Sequence, residues 1–234
     1  MSCFSAKGII ISGWCGAKVM GWFYYVIRAF SWLTLKTLTR YRVQGRENIP
    51  ASGPLLVVSN HLSNADPLLI AASFSRKAMF MAKKELFRSR VIAPFLTSGA
   101  FPISRGQMGG RAMRQSLELL AGGGVLAVFP EGMRSPASQI GPAMPGVALI
   151  AVRSGAPVLP VAITGTEQFG RRNWLWHRPV INISIGTPIR IPVPDGKLTK
   201  EKLAELTDGI MKHIAAMLPP QYRGLYAEGE PVGT

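Results

Sequence analysis

Apolar and polar positions follow two patterns along most of the chain. Short apolar runs bounded by glycine, proline or polar turns predict buried strands, and apolar residues recurring every three or four positions predict helices. From residue 55 onward the two patterns alternate, which is typical of a sheet whose strands are joined by helices. We therefore predict an α/β fold with a mixed, largely parallel central sheet flanked by helices.

The individual elements follow from the same patterns. The predicted strands are LLVVS, AMFMA, AFPIS, VLAVF, VLPVAIT and VINISIG. The first predicted helix begins at Pro67, and three more cover residues 86–96, 111–123 and 146–153. The last one follows an N-cap at Thr199 and has apolar residues at positions 203, 206, 210, 214 and 217. We expect the tail from residue 221 onward to be extended and partly disordered.

The N-terminal stretch, residues 8–39, is the most hydrophobic part of the chain. Residues 8–27 contain one charge, Lys18, and are long enough to cross a membrane, although three glycines interrupt them. Their tryptophans and tyrosines are typical of the membrane–water interface. A span, a helical hairpin lying in the interface, an uncleaved signal-like segment and a buried core helix all compete. We favour one or two helices embedded in one leaflet, and predict a membrane-associated segment at 1–40 and an α/β domain at 41–234.

The charge balance favours a membrane partner. The chain of 234 residues has 27 Lys and Arg against 12 Asp and Glu, a net charge of +15, and the basic residues are scattered among apolar segments. Together with the hydrophobic N-terminus, this pattern favours an anionic membrane surface over nucleic acid. Cys3 and Cys15 form no disulfide framework or zinc-ligand spacing, which is compatible with a reducing, cytoplasm-facing setting.

Candidate chemistry begins with a histidine in the turn after LLVVS. His61 precedes Asp66 by five positions, so the pair is expected in a loop that opens a helix. Loops at the carboxyl ends of strands are where α/β sheets usually bind ligands. A single His–Asp pair is a weak signal, because many such pairs occur on surfaces by chance.

Three further blocks strengthen that signal. FPISRG at 101–106, FPEGMRS at 129–135 and VLPVAITG at 158–165 each contain or end a predicted strand. If these strands are parallel, the polar residues after them meet at one edge of the sheet. Each block also has a plainer interpretation: Pro-Glu-Gly is often only a turn, and Arg105 could be a solvated surface charge.

With NHLSNAD, these blocks appear in the order found in a known family. The chain resembles the glycerolipid acyltransferase family, best known from the 1-acylglycerol-3-phosphate (lysophosphatidate) acyltransferases, over roughly residues 40–190. The resemblance implies transfer of a fatty acyl group from acyl-CoA or acyl-carrier protein to the free hydroxyl of 1-acylglycerol 3-phosphate, giving phosphatidate. The family commonly has threonine where this chain has Met133, which could affect the choice of acceptor.

The catalytic roles follow from the residues and from the resemblance alike. Imidazole suits removal of a hydroxyl proton near neutral pH, so we predict His61 as the general base and Asp66 as the group that orients its ring. A thiolate leaves readily, and the chain has no G-x-S-x-G elbow. We therefore predict direct attack in a ternary complex, without a covalent acyl-enzyme.

Positive charge is needed for the acceptor phosphate. Arg105 and Arg134 are the candidates, because guanidinium binds phosphate oxygens in a bidentate manner. Glu131 would bond an acceptor hydroxyl or orient an arginine, and Lys83 and Lys84 would meet an acyl carrier's phosphates or be solvated. The predicted substrate-binding residues are Asn60, Ser63, Ser104, Arg105, Glu131, Gly132 and Arg134.

The expected partners are the anionic membrane surface, the lysophospholipid acceptor and the acyl thioester, with no metal and no cofactor beyond that co-substrate. The expected location is the membrane, with the active site facing the cytoplasm. Two alternatives stay open. One is acylation of glycerol 3-phosphate, another lysophospholipid or an acylated amino acid. The other is a non-catalytic basic protein that binds a membrane surface or nucleic acid.

Overall fold

A seven-stranded sheet forms the centre of the molecule. The computed structural model describes residues 21–88, 93–103, 109–135, 137–170, 172–193 and 196–227. The strands are β1 (Arg40–Gln44), β2 (Leu55–Ser59), β3 (Ala78–Lys83), β4 (Ala100–Ile103), β5 (Val125–Val128), β6 (Val158–Thr164) and β7 (Val180–Ile185).

The spatial order of the strands is β1-β7-β6-β2-β5-β3-β4. Neighbouring strands are parallel except β6 and β7, so β1 and β7 run opposite to the other five. This confirms the predicted mixed, largely parallel sheet. All five residues of β2 are buried, as expected for a central strand covered on both faces.

Helices cover both faces of the sheet. The helices are α1 (Gly21–Leu38), α2 (Asp66–Ser73), α3 (Ala93–Gly99), α4 (Gly110–Ala121), α5 (Gly146–Ser154), α6 (Trp174–His177) and α7 (Lys200–Ala216). Apolar residues of α1, α2 and α3 pack on one face, and those of α4, α5 and α7 on the other. The predicted N-cap of α7 is confirmed, since the Thr199 hydroxyl accepts a hydrogen bond from the Lys202 N–H at 3.3 Å.

One predicted helix is wrong. Instead of a helix over 86–96, the structure has a 3-10 turn at Lys84–Arg88 and a separate helix α3 that begins at Ala93. Pro94 has no backbone N–H, so a helix can begin beside it but cannot run through it with its hydrogen bonds intact.

The C-terminal tail, up to residue 227, is folded into turns and is not extended as predicted. Two 3-10 turns, Pro220–Tyr222 and Gly224–Tyr226, follow helix α7. They are anchored by side chains: the Tyr222 hydroxyl donates to Glu167 at 3.0 Å and the Tyr226 hydroxyl to Asp208 at 2.8 Å. A polar stretch with two well-placed tyrosines therefore packs on the domain, and residues 228–234 lie outside the described residues.

The predicted N-terminal segment is described only from Gly21 onward, so Cys3, Cys15 and most of the candidate span lie outside the described residues. Helix α1 buries Tyr24 and Leu35 against the core. Its opposite side exposes large apolar residues: Trp22, Tyr25, Val26, Phe30, Trp32 and Leu33. Among the described helices, none combines the length and the apolar character that crossing a membrane requires.

Candidate active site

The structure brings the predicted histidine and aspartate into contact. His61 leaves the carboxyl end of β2, and Asp66 is the first residue of α2. The His61 Nδ1 lies 2.8 Å from the Asp66 Oδ2, and the His61 side chain is 16% exposed while Asp66 is fully buried. Among the described residues the His61 ring makes its hydrogen bond through Nδ1, and Nε2 has no described partner.

The turn between these two residues holds the aspartate in place. Asp66 Oδ2 also accepts the N–H of Leu62 at 2.7 Å and the N–H of Ser63 at 2.8 Å. The Ser63 carbonyl in turn accepts the Asp66 N–H at 3.0 Å, which closes the loop. Three donors on one carboxylate oxygen fix the position of Asp66 and, with it, the orientation of the His61 ring.

An aromatic ring supports the imidazole from one side. Phe129, directly after β5, stacks on the His61 ring with centroids 4.2 Å apart and an interplanar angle of 24°. The stacking and the Asp66 bond together restrict rotation of the imidazole. The first letter of the FPEG block thus has a role that the sequence analysis did not assign.

Glu131 joins two loops through its carboxylate. Oε1 accepts the His61 N–H at 3.1 Å and Oε2 accepts the Gly141 N–H at 3.1 Å. The residue is only 6% exposed, and this burial raises the pKa of Glu131 above its usual range. The hydrogen bonds from the two backbone N–H groups act in the opposite direction and lower the pKa. Both oxygens are thus bonded to backbone and hold the loop that carries His61.

The rest of the FPEGMRS block lies beside the histidine. The Ser135 N–H donates to the His61 carbonyl at 2.8 Å, so this segment runs along the His61 loop. Gly132 has φ +64°, a conformation that favours glycine, and Met133 is 61% exposed. Arg134 is exposed and forms no ion pair with any described residue. The block therefore places an exposed arginine next to the residue that bonds the His61 carbonyl.

Asn60 connects the His61 loop to β6. Its Nδ2 donates to the Ile163 carbonyl at 2.8 Å, and its Oδ1 accepts the Ile163 N–H at 2.8 Å. Asn60 is 1% exposed, so its side chain extends the pairing of β2 with β6 by one step. This geometry makes Asn60 a buried loop-shaping residue. Ser63 also shapes the loop, since its hydroxyl accepts the Ala65 N–H at 3.3 Å, but it is half-buried.

The comparisons with known proteins agree with this geometry. A family model described as Acyltransferase matches residues 40–164, more than half of the chain. The chain belongs to the acyltransferase family. It is 29% identical over 175 residues to the 1-acyl-sn-glycerol-3-phosphate acyltransferase of Bacillus subtilis, which covers 74% of this chain and 85% of that protein.

Two further relatives extend the match. The 1-acyl-sn-glycerol-3-phosphate acyltransferase of Pseudomonas aeruginosa is 28% identical over 228 residues, covering 94% of this chain and 82% of that one. The crystal structure of the 1-acyl-sn-glycerophosphate (LPA) acyltransferase PlsC from Thermotoga maritima superposes with a TM-score of 0.65 at 27% identity, covering 86% of this chain and 81% of that chain. The protein is thus an acyltransferase of the 1-acyl-sn-glycerol-3-phosphate acyltransferase family.

Not every predicted site residue of this acyltransferase can be placed. Ser104 and Arg105 follow β4 but lie outside the described residues. Lys83 ends β3 and Lys84 opens the next turn, at the same edge of the sheet as His61 but beyond β5. In the described ranges no three His, Cys, Asp or Glu side chains are grouped as a metal would require.

The sequence analysis did not identify two groups at the site. Phe129 could have been identified, because it is the first residue of the FPEGMRS block. Gly141 could not have been, because its contribution is a backbone N–H from a loop ten residues after Glu131.

Proposed function

We propose that this acyltransferase moves a fatty acyl group from an acyl thioester, acyl-CoA or acyl-carrier protein, to the free hydroxyl of 1-acylglycerol 3-phosphate, giving phosphatidate. The names of the relatives in Bacillus subtilis and Pseudomonas aeruginosa support this acceptor. The observation that carries the chemistry is the 2.8 Å contact between His61 Nδ1 and Asp66 Oδ2.

His61 is the general base of the proposed mechanism. Asp66 accepts a hydrogen bond from Nδ1–H, which keeps the proton on Nδ1, so the neutral ring has its lone pair on Nε2. Nε2 takes the proton of the acceptor hydroxyl as its oxygen attacks the thioester carbonyl. The C–S bond then breaks, the thiolate leaves, and the imidazolium returns the proton to the thiolate or to water. This sequence needs no covalent acyl-enzyme.

Arg134 binds the acceptor phosphate in this proposal, together with Arg105. Support comes from the exposure of Arg134, from its lack of a carboxylate partner among the described residues, and from its place next to Ser135, whose N–H bonds the His61 carbonyl. Glu131, with both oxygens on backbone amides, acts as a positioning residue that keeps His61 at the reacting hydroxyl.

The reaction takes place at an anionic membrane surface, with the active site on the cytoplasmic side. Support for this location comes from the exposed aromatic and aliphatic residues of α1 and from the net charge of +15. Segment 1–40 is the membrane-associated part in this proposal, and α1 is its described helix.

The test follows free thiol release from acyl-CoA and from acyl-carrier protein, with 1-acylglycerol 3-phosphate, glycerol 3-phosphate and other lysolipids as acceptors. We expect His61→Ala to lower kcat by at least about 100-fold, since general-base catalysis typically contributes about 10²–10⁴-fold. His213→Ala is the matched control, because His213 is half-buried on α7 and is expected to retain wild-type turnover. A His61→Ala protein as fast as wild type would rule out the general base.

A further inference from the structure

A groove of about 520 Å³ lies between helix α1, the end of helix α2 and the turn that begins at Arg46. Helix α2 starts beside His61, at the carboxyl ends of the parallel strands, and runs back toward their amino ends. Ala72, Ser73, Phe74 and Ser75, at the far end of this helix, line the groove. The groove is therefore at the edge of the domain opposite the candidate active site.

Two arginines from different elements line this groove. Arg28 comes from α1, and its Nη1 makes a long contact of 3.4 Å with the Ser75 carbonyl. Arg46 follows β1 and lies near Tyr41, whose hydroxyl bonds the Ser73 hydroxyl. Neither guanidinium has a carboxylate partner among the described residues.

This arrangement favours an anion between the arginines. Two like charges at one groove repel each other, and an anion that bonds both converts this cost into attraction. Guanidinium groups bind phosphate oxygens in particular, because the planar N–H donors match their spacing.

The rim of the groove indicates where the anion comes from. Tyr25 and Trp32 of α1 line the groove and are 53% and 40% exposed. The same helix exposes Phe30 and Leu33 next to them, 69% and 54% exposed. Exposed aromatic residues of this kind settle at the depth of lipid headgroups, with apolar residues in the acyl region below. A helix that lies on a membrane by this side would place the groove at headgroup depth.

We propose that the groove binds the phosphate group of an anionic phospholipid of the membrane, with Arg28 and Arg46 as its ligands. The bound lipid is separate from the substrate, because the groove and His61 lie at opposite edges of the sheet. The proposal rests on the membrane location given under Proposed function. Its effect is to fix the orientation of α1 on the bilayer.

The first experiment measures binding to sedimented vesicles of phosphatidylcholine with increasing phosphatidylglycerol. An arginine near an anionic surface contributes about fivefold in affinity, so Arg28→Gln with Arg46→Gln should lose about 25-fold on anionic vesicles. Arg153→Gln with Lys212→Gln is the matched control: it removes the same charge from exposed positions on α5 and α7, across the sheet. We expect a loss of about twofold or less for the control, as long-range charge is screened.

Equal losses in the two variants would overturn the proposal, because diffuse attraction of a basic protein would then explain binding. The double lysine variant, Arg28→Lys with Arg46→Lys, keeps the charge and lacks the planar fork. An intermediate loss supports phosphate coordination, and wild-type affinity for this variant argues against it. Thermal unfolding of each variant checks that the fold is intact.

A second variant separates a headgroup site from simple partitioning of an apolar helix. Ala29 lines the groove and is exposed. Ala29→Trp would fill the groove and also add an interfacial aromatic residue. With a headgroup site, the variant loses the preference for phosphatidylglycerol over phosphatidylcholine. Tighter binding to both kinds of vesicle with the preference intact would contradict the site.

The source of the phosphate and the link to catalysis are tested apart. Wild type and the Arg28→Gln, Arg46→Gln variant are titrated with inorganic phosphate without vesicles, and we expect no difference in binding between them. If only the wild type binds, the site takes free phosphate and the lipid assignment is wrong. Vesicle binding requires no turnover, so His61→Ala should bind as wild type does. Failure of the groove variants and failure of the proposed acyl transfer are therefore distinguishable.

Discussion

A single oxygen atom decides the geometry of the catalytic pair. Asp66 Oδ2 accepts the ring N–H of His61 and the backbone N–H groups of Leu62 and Ser63, all within 2.8 Å. The two backbone bonds hold the aspartate, and the third selects the tautomer of the ring. The same side chain therefore shapes the loop and prepares the base.

Replacement of Asp66 by asparagine removes the charge and keeps the shape of the side chain. Because His61, Leu62 and Ser63 all bond the one atom Oδ2, an amide oxygen at that position can keep the three bonds, but the neutral amide no longer stabilises the imidazolium that forms as the proton is taken. We expect kcat to fall by at least about 100-fold, a loss typical of impaired general-base catalysis, with little change in acceptor KM. Steady-state kinetics on the folded variant measure this, and a change confined to KM would contradict the role of Asp66.

The raised pKa of Glu131 predicts that acid stabilises the fold through this group and lowers the activity. Burial raises the pKa of Glu131 above its ordinary value of 4.5, so in the pH range between 4.5 and this raised pKa the folded state holds a proton that the unfolded state has released. The contribution of this group to stability is therefore fully present below pH 4.5 and is lost as the pH rises through the folded pKa. Activity should change the other way, because a protonated carboxyl can no longer accept both N–H groups.

The measurement is kcat and the free energy of unfolding as functions of pH for wild type and Glu131→Gln. The variant should lose about tenfold to 100-fold in kcat at neutral pH, since misplacement of a catalytic group by about 1 Å can cost about 100-fold. Its unfolding free energy should lack the acid-side increase due to this group. A variant that mainly raises the acceptor KM would return Glu131 to the substrate-binding role expected from the sequence.

At the scale of elements, the catalytic loops are held by other loops. The C-terminal tail pairs with Ile140, which donates to the Tyr222 carbonyl at 2.9 Å and accepts the Leu225 N–H at 3.3 Å. The next residue, Gly141, bonds Glu131, which bonds the His61 N–H. The tail is thus connected to His61, the proposed base, through hydrogen bonds and the peptide bond from Ile140 to Gly141.

Gly224→Ala tests this connection. Gly224 has φ +50°, and an added Cβ would lie 2.2 Å from the Ile140 carbonyl oxygen, so Ile140 has to move. We expect a cost of about 1–2 kcal/mol from the left-handed conformation alone, and a clear loss of kcat. Gly209→Ala in helix α7 adds the same methyl group into open space and should be neutral or stabilising. Equal activity of the two variants would show that the tail does not position the site.

The sequence predicts well those strands that are short apolar runs buried in the structure, such as 55–59 and 125–128. It also predicts that His61 and Asp66 meet, because five residues suffice for a tight turn. It does not predict which strands reverse, since an apolar run has no direction. Nor does it predict Gly141 or the packed tail, because these depend on backbone groups and on tyrosines that meet partners distant in sequence.

The whole molecule combines a charge of +15 with one exposed apolar helix side. In the proposed membrane location, charge would attract the protein to an anionic surface from a distance, and apolar contact would hold it there. Salt separates the two contributions, because it screens the first and leaves the second.

Binding to anionic vesicles should therefore weaken steeply between low and physiological salt, and then reach a plateau set by apolar contact. Vesicle sedimentation over a salt series measures the curve. Phe30→Ser on the exposed side of α1 should lower the plateau and leave the slope unchanged, whereas the charge variant Arg153→Gln with Lys212→Gln should not affect the plateau. A curve that falls to zero in salt would contradict apolar attachment.

The reversal of β1 has a kinetic consequence. In a parallel sheet, a helix that precedes a strand ends at the edge where the strands begin. Strand β1 runs the other way, so α1 ends at the opposite edge, beside Arg40. Arg40 pairs with Val180, which lies next to Gly165 at the carboxyl end of β6. The helix proposed to touch the bilayer thus reaches the edge where His61 lies. Substrate and product would then exchange by lateral diffusion, and turnover would depend on the mole fraction of acceptor in the lipid surface instead of its bulk concentration.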